Sequence, residues 1–113
     1  MSAQYKYNGT LWIEIEGKPV IGPGRVELLE RIQQTGSIRQ AAIQMEMSYR
    51  QAWQMIDHMN SNLSGPVVVS QRGGKGGGTA EVTKKGLDAI KQFKAFHLHF
   101  HQLLAEQSKK INL

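Results

Sequence analysis

Between Thr10 and Glu16 apolar and polar side chains alternate, with Leu11, Ile13 and Ile15 on one face and Thr10, Trp12, Glu14 and Glu16 on the other. A period of two predicts a strand buried on one side. Gly17-Lys18 offers a turn, after which Pro19-Val20-Ile21 can run back as a short partner. Gly22-Pro23-Gly24 breaks the alternation, and proline suits the first turn of a helix. Val26, Leu29 and Ile32, with Leu28 alongside, give that helix an apolar stripe, which Gly36 should end in a left-handed conformation.

Two short helices follow, and both open with the same device. Ser37-Ile38-Arg39-Gln40 and Ser48-Tyr49-Arg50-Gln51 each place serine at the N-cap and glutamine three residues on. In a capping box of this kind each side chain satisfies a backbone N–H at the helix start. The spacing predicts helices over roughly Ile38–Met45 and Tyr49–Asn62, joined by a short turn. Beyond Ser64-Gly65-Pro66, the β-branched run Val67-Val68-Val69 reads as a strand and Ala80 to Thr83 as its return. Thr83 can cap a last helix reaching about Gln107.

These elements predict an α+β chain, a winged helix-turn-helix with a short N-terminal β-hairpin and a long C-terminal dimerisation helix. One domain spans 1–113, with the helix-turn-helix at 37–63, the wing at 66–83 and the long helix at 84–108.

On the second of the two short helices, Ala52, Ile56, Met59 and Leu63 share a buried sector flanked by Met55 and Tyr49. Arg50 and Gln54 lie nearly opposite, Gln51 at one margin and Trp53 at the other. Arginine can donate two hydrogen bonds to guanine and glutamine can pair with adenine, so this face suits major-groove readout. An ordinary solvated face would carry the same residue types. Gln51 would be less free to touch a base if its side chain closes the capping box, and Asp57 is a discordant carboxylate.

Charge changes the picture modestly. The chain of 113 residues carries a formal +5, which favours a polyanionic partner. From Ser37 to Lys85 the cations Arg39, Arg50, Arg72, Lys75, Lys84 and Lys85 outnumber Glu46, Asp57 and Glu81. The absence of cysteine excludes disulfides and thiolate sites. With no apolar leader and no membrane-spanning run, the expected location is the cytoplasm and no membrane contact is expected.

The stretch Gly73-Gly74-Lys75-Gly76-Gly77-Gly78 invites a phosphate-loop reading, but the lysine of such a loop is followed by serine or threonine, and Gly76 follows Lys75 here. A glycine-rich wing tip, where backbone can approach a phosphate beside Arg72, Lys75 and Gly76, fits better. A merely flexible hairpin end is the plain alternative. Lys84 and Lys85 would extend the same positive face.

In the last helix Ala89, Phe93, Phe96, Phe100 and Leu103 step by four and three, a heptad-like seam. About 25 helical residues span roughly 37 Å, more than so small a domain can cover. The outer half is therefore expected to meet a second copy through Phe93, Phe96, Phe100 and Leu103. His97 and His101 share a face at i, i+4, a spacing that can hold one metal ion, but no acidic residue on the adjacent turn completes a site. No catalytic nucleophile, base and orienting group can be assembled, so no enzyme, no cofactor and no metal site is expected.

With these residues in view, the chain resembles the N-terminal domain of the ModE-type molybdate-responsive transcription regulators. The matching stretches are Gly36-Ser37-Ile38 with Gln40-Ala41-Ala42, Ser48-Tyr49-Arg50-Gln51-Ala52-Trp53, Met59-Asn60, the glycine tip, and Val82-Thr83 followed by Gly86. The resemblance covers roughly Pro23 to Leu104. Its glycine tip is specific, whereas the helix-turn-helix is shared with the broader LysR-type group. It implies a dimeric winged-helix binder of double-stranded DNA, with Ser48 to Gln54 in the major groove and Arg72 to Gly78 as wing. It also implies dimerisation through the first strand region and the last helix. Family members that sense molybdate add a C-terminal oxyanion-binding domain. This chain ends at Leu113, so a stand-alone module without molybdate binding is the expectation. Glu46 occupies a turn position where the motif usually has glycine, at a cost of about 1 kcal/mol if the backbone there is left-handed.

The functional expectation is therefore a sequence-specific, dimeric repressor on a palindromic operator. The DNA contacts are assigned to Ser37, Arg39, Gln40, Ser48, Tyr49, Arg50, Gln51, Gln54, Arg72, Lys75, Gly76, Lys84 and Lys85. A winged-helix protein-interaction module and a histidine-based metal sensor remain as alternatives.

Overall fold

The computed structural model describes residues 4–71 and 78–113. The chain forms β1 (Ile13–Ile15), β2 (Lys18–Ile21), α1 (Pro23–Thr35), α2 (Ile38–Gln44), α3 (Tyr49–Asn62), β3 (Val68–Gln71), β4 (Thr79–Val82) and α4 (Lys84–Ser108). Each strand pair is a separate antiparallel two-stranded sheet. This is the α+β winged helix-turn-helix expected, with α2 and α3 as its helix pair and β3–β4 as its wing.

The first hairpin is shorter than its alternation suggests. Pairing runs Ile13 to Ile21, then shifts register so that Glu14 faces Pro19 and Ile15 faces Lys18. The turn is Glu16-Gly17, both at positive φ (52° and 79°), one residue earlier than expected. That pairing of left-handed residues is what a two-residue hairpin turn requires. The expected buried face is only partly buried: Leu11 and Ile15 are half-covered and Ile13 is 39% exposed. The shift in register turns Val20 and Ile21 of the return strand into the core instead. Trp12 folds back over Gly22, where an added Cβ would stand 2.6 Å from the indole ring.

Helix α1 buries Val26, Leu28, Leu29 and Ile32 and ends at Gly36, whose φ of 68° and N–H bond to the Ile32 carbonyl make the left-handed cap. Ala41, Ala42 and Ala52 are all essentially buried, and their small side chains let α2 and α3 pack closely. Between them the chain makes a Schellman turn: Met47 N–H donates to Ala42 O (3.0 Å) and Glu46 N–H to Ile43 O (3.1 Å). Glu46 holds the left-handed position at φ 55°, as the sequence suggested.

Helix α4 joins the core only through its first half, with Gly86, Ile90 and Phe93 buried. Gly86 is required by proximity: a Cβ there would stand 2.4 Å from the Val67 carbonyl oxygen and 2.6 Å from Val82 Cγ1. An ion pair between Lys94 and Glu30 (2.7 Å) fastens α4 to α1. Beyond it, the N-terminal segment runs antiparallel along the helix. Tyr5 OH donates to Leu113 O (2.8 Å), Tyr7 N–H donates to Ser108 Oγ (2.8 Å), and Gly9 lies against the Phe100 ring. The molecule is consequently elongated, 61 × 31 × 20 Å.

Candidate nucleic-acid interface

Two serine caps fix the starts of α2 and α3. Ser37 Oγ accepts from Gln40 N–H and Ser48 Oγ from Gln51 N–H, both at 3.0 Å. Only these halves of the expected capping boxes form. At the first, Ser37 N–H donates to Thr35 Oγ1 (3.2 Å), so the Gln40 side chain is not needed there. None of the described hydrogen bonds occupies the Gln51 side chain, which stands exposed beside exposed Arg50 and Gln54 on the outer face of α3.

That outer face is held rigidly from below. Ala52, Ile56 and Met59 are fully buried, as the periodicity predicts. Tyr49, which its period sets beside the buried sector and which is also assigned to the DNA face, is 45% exposed: at the first position of α3 it projects past the core toward α2. There the Arg39 guanidinium lies 5.0 Å over its ring, and Trp53 packs edge-on at 6.3 Å. Arg39, Tyr49 and Trp53 thus form a continuous cation–aromatic row between the two helices.

The wing is docked by backbone. Ala80 N–H donates to Gly36 O (2.9 Å), setting β4 beside the end of α1, and Thr83 N–H donates to Val67 O (2.9 Å). Between the wing strands and the helix pair lies an open cleft of about 620 Å³. Ser37, Arg39, Gln40, Tyr49 and Trp53 line one side, and Ser70, Gln71, Gly78, Thr79 and Ala80 the other. Cationic, aromatic and amide groups converge there.

The structure therefore gathers Ser37, Arg39, Gln40 and Tyr49 in the cleft and sets Arg50, Gln51 and Gln54 on the outward face that Ser48 opens. Arg72, Lys75 and Gly76, and the glycine tip around them, lie outside the described residues. Lys84 and Lys85 stand apart: Lys85 Nζ donates to Ser64 Oγ, beyond the C-terminal end of α3. That is about 21 Å of helix away from Ser48.

The four seam residues separate as well. Phe93 is 3% exposed and belongs to this chain's own core, so it leaves the expected dimer surface. Phe100 is half-buried against Gly9, while Phe96 and Leu103 are 60% and 53% exposed.

Sequence reasoning missed Asn60 and Arg25. Asn60 Oδ1 accepts from Val67 N–H (2.8 Å) and its Nδ2 donates to Val68 O (3.2 Å), tying α3 to the wing. A polar residue at the margin of the buried stripe, next to Met59, is the signal that could have found it. Arg25 donates to Val20 O (2.8 Å) and meets His58 Nδ1 at 2.7 Å, linking β2, α1 and α3. Burial pushes its guanidinium below the usual arginine value. Because the guanidinium only donates, His58 Nδ1 is the acceptor in this contact.

No family model matches the chain. It is 40% identical over 93 residues to the molybdenum-pterin-binding protein MopB of Rhodobacter capsulatus, covering 82% of this chain and 34% of that protein. It is 45% identical over 74 residues to the transcriptional regulator ModE of Haemophilus influenzae, covering 65% of this chain and 29% of that one. The chain thus spans about a third of the length of the curated relatives it matches. One of these relatives is a molybdenum-pterin-binding protein and the other a transcriptional regulator. Among solved structures, the crystal structure of ArgP from Mycobacterium tuberculosis superposes with a TM-score of 0.53 at 18% identity, covering 75% of this chain and 30% of that chain. That likeness concerns the fold.

Proposed function

We propose that this chain, a single winged module over 1–113, is a ModE-type DNA-binding transcription regulator. It acts in the cytoplasm as a dimeric repressor on a palindromic operator. The observation that carries the reading is the exposed row Arg50, Gln51 and Gln54 on α3, standing beside a cleft that holds Arg39 against Tyr49. The row enters the major groove, with Arg50 reading a guanine and the glutamines adenine or neighbouring edges. The cleft receives the phosphate backbone between groove and wing, with Arg39 as its cation. Arg72 and Lys75 add phosphate contacts from the wing tip.

Pairing of two copies is supported by the outer half of α4, where Phe96 and Leu103 share one face and are each more than half exposed. A two-fold axis near that stripe duplicates the reading helix for an inverted repeat. Among the described residues no helix is long and apolar enough to cross a membrane, in keeping with a DNA partner.

Fluorescence anisotropy on duplexes from the DNA flanking the chain's own gene, against a scrambled duplex, tests the reading. Contact with about six phosphates gives a log–log salt slope near −5. Arg50→Ala should cost about 1–3 kcal/mol on the operator and relax preference at one base pair. Lys75→Ala should weaken both duplexes alike and flatten the slope. Absence of duplex binding at low salt would replace the reading with a protein-interaction module.

A further inference from the structure

We propose that His97 and His101 form a chelate for copper(II) or nickel(II) on α4, independent of the DNA-binding face. The i, i+4 spacing only places two imidazoles on one flank; the structure adds how they are aimed. Their Nε2 atoms face each other at 2.9 Å. His97 stacks on Phe93 (centroids 5.1 Å, planes 24° apart) and His101 stands edge-on to Phe100 (5.4 Å). Phe93 is itself anchored in the core. His97 is thus held against a core-anchored ring, and the more exposed His101 meets it one turn further along α4.

The separation selects the metal. Two nitrogens each about 2.0–2.1 Å from an ion stand roughly 2.9 Å apart when they subtend a right angle, and roughly 3.4 Å apart at a tetrahedral angle. The observed distance matches adjacent corners of a square-planar or tetragonal site, the geometry of copper(II) and nickel(II) with nitrogen donors. Zinc, which prefers the tetrahedral angle, matches this separation less closely. Among the described residues no third histidine, cysteine or carboxylate joins the pair, so the remaining corners fall to water or to an exchangeable ligand. Lys94, on the preceding turn of the same flank, is ion-paired with Glu30, which offsets its charge toward an incoming cation.

The pair lies across the Phe93 line from Phe96 and Leu103, so occupancy does not require that apolar stripe to be free. Binding both lone pairs to one ion breaks the His–His hydrogen bond and bridges one turn of α4.

The test is a calorimetric titration of the whole chain at neutral pH with copper(II), nickel(II) and zinc(II) salts, alongside His97→Ala, His101→Ala and His99→Ala. His99 sits on the same helix but points elsewhere, so its variant controls for non-specific uptake. The expected result is one ion per chain, copper and nickel held more tightly than zinc. Loss of either His97 or His101 should weaken binding at least about tenfold, with His99→Ala unchanged and all variants retaining wild-type circular dichroism. The proposal is overturned if wild type takes up no copper, if all three variants bind alike, or if zinc binds tightest. DNA binding plays no part in this readout.

Discussion

Asn60 accepts a hydrogen bond from the Val67 N–H at 2.8 Å, so the amide of one α3 side chain completes the pairing of the backbone that enters the wing. With its Nδ2 on Val68 O, the same side chain satisfies a donor and an acceptor that β4 does not reach. Helix α3 and the start of β3 are therefore tied together at this point.

Replacing Asn60 by alanine leaves both groups part-buried and unpaired. The expected loss is about 1–3 kcal/mol, seen as a melting point lowered by several degrees. A change within error would show that water substitutes freely and that the wing is not held this way.

Glycine positions divide sharply. Gly86→Ala forces a Cβ against the Val67 carbonyl and should cost about 1–3 kcal/mol or more through displacement of α4. Gly24→Ala, in the first turn of α1 with nothing within 4 Å, should raise stability by about 0.4–1 kcal/mol. Urea midpoints of the two variants should move in opposite directions.

Glu46→Gly removes a side chain from left-handed backbone at the α2–α3 turn. A gain of up to about 1 kcal/mol is expected in chemical denaturation, without change in DNA affinity. A loss of stability would mean that the Glu46 side chain contributes more than its backbone costs.

The cleft row is tested at Tyr49. Tyr49→Phe keeps a ring beneath Arg39, whereas Tyr49→Leu removes it. DNA affinity should fall for the leucine variant by about 0.5–1 kcal/mol and hold for phenylalanine. Equal losses in both would assign the effect to the hydroxyl instead.

Along α4 the two ends of the phenylalanine seam should respond differently. Phe93→Ala should destabilise the chain by about 3–5 kcal/mol, since Phe93 is core. Phe96→Asp should leave the unfolding midpoint of the isolated chain nearly unchanged and lower its apparent mass in sedimentation. Unaltered association in Phe96→Asp would move the two-fold contact elsewhere.

Much of the fold is legible from local signals. The serine caps of α2 and α3, the stripe on α1 and the Gly36 stop each act within a few residues, and each forms as the sequence suggests. The first hairpin is less legible, because alternation over Thr10 to Glu16 cannot reveal a register shift opposite Pro19. Of the candidate site, the outward position of Arg50 and Gln54 follows from helical period alone. Tyr49 does not: its period places it near the core, and only the neighbouring α2, with Arg39, draws it outward.

The sequence by itself determined where helices begin and end and which face of α3 meets solvent, because caps and periodicity depend on neighbours three or four residues away. Tertiary structure decided which apolar residues of α4 this chain consumes and which it leaves uncovered. It also brought Asn60 to the Val67–Val68 backbone, placed Lys85 beside Ser64, and converged two imidazoles whose spacing alone left their aim open. These outcomes depend on how elements distant in sequence meet and brace one another, and a one-dimensional pattern carries no term for that.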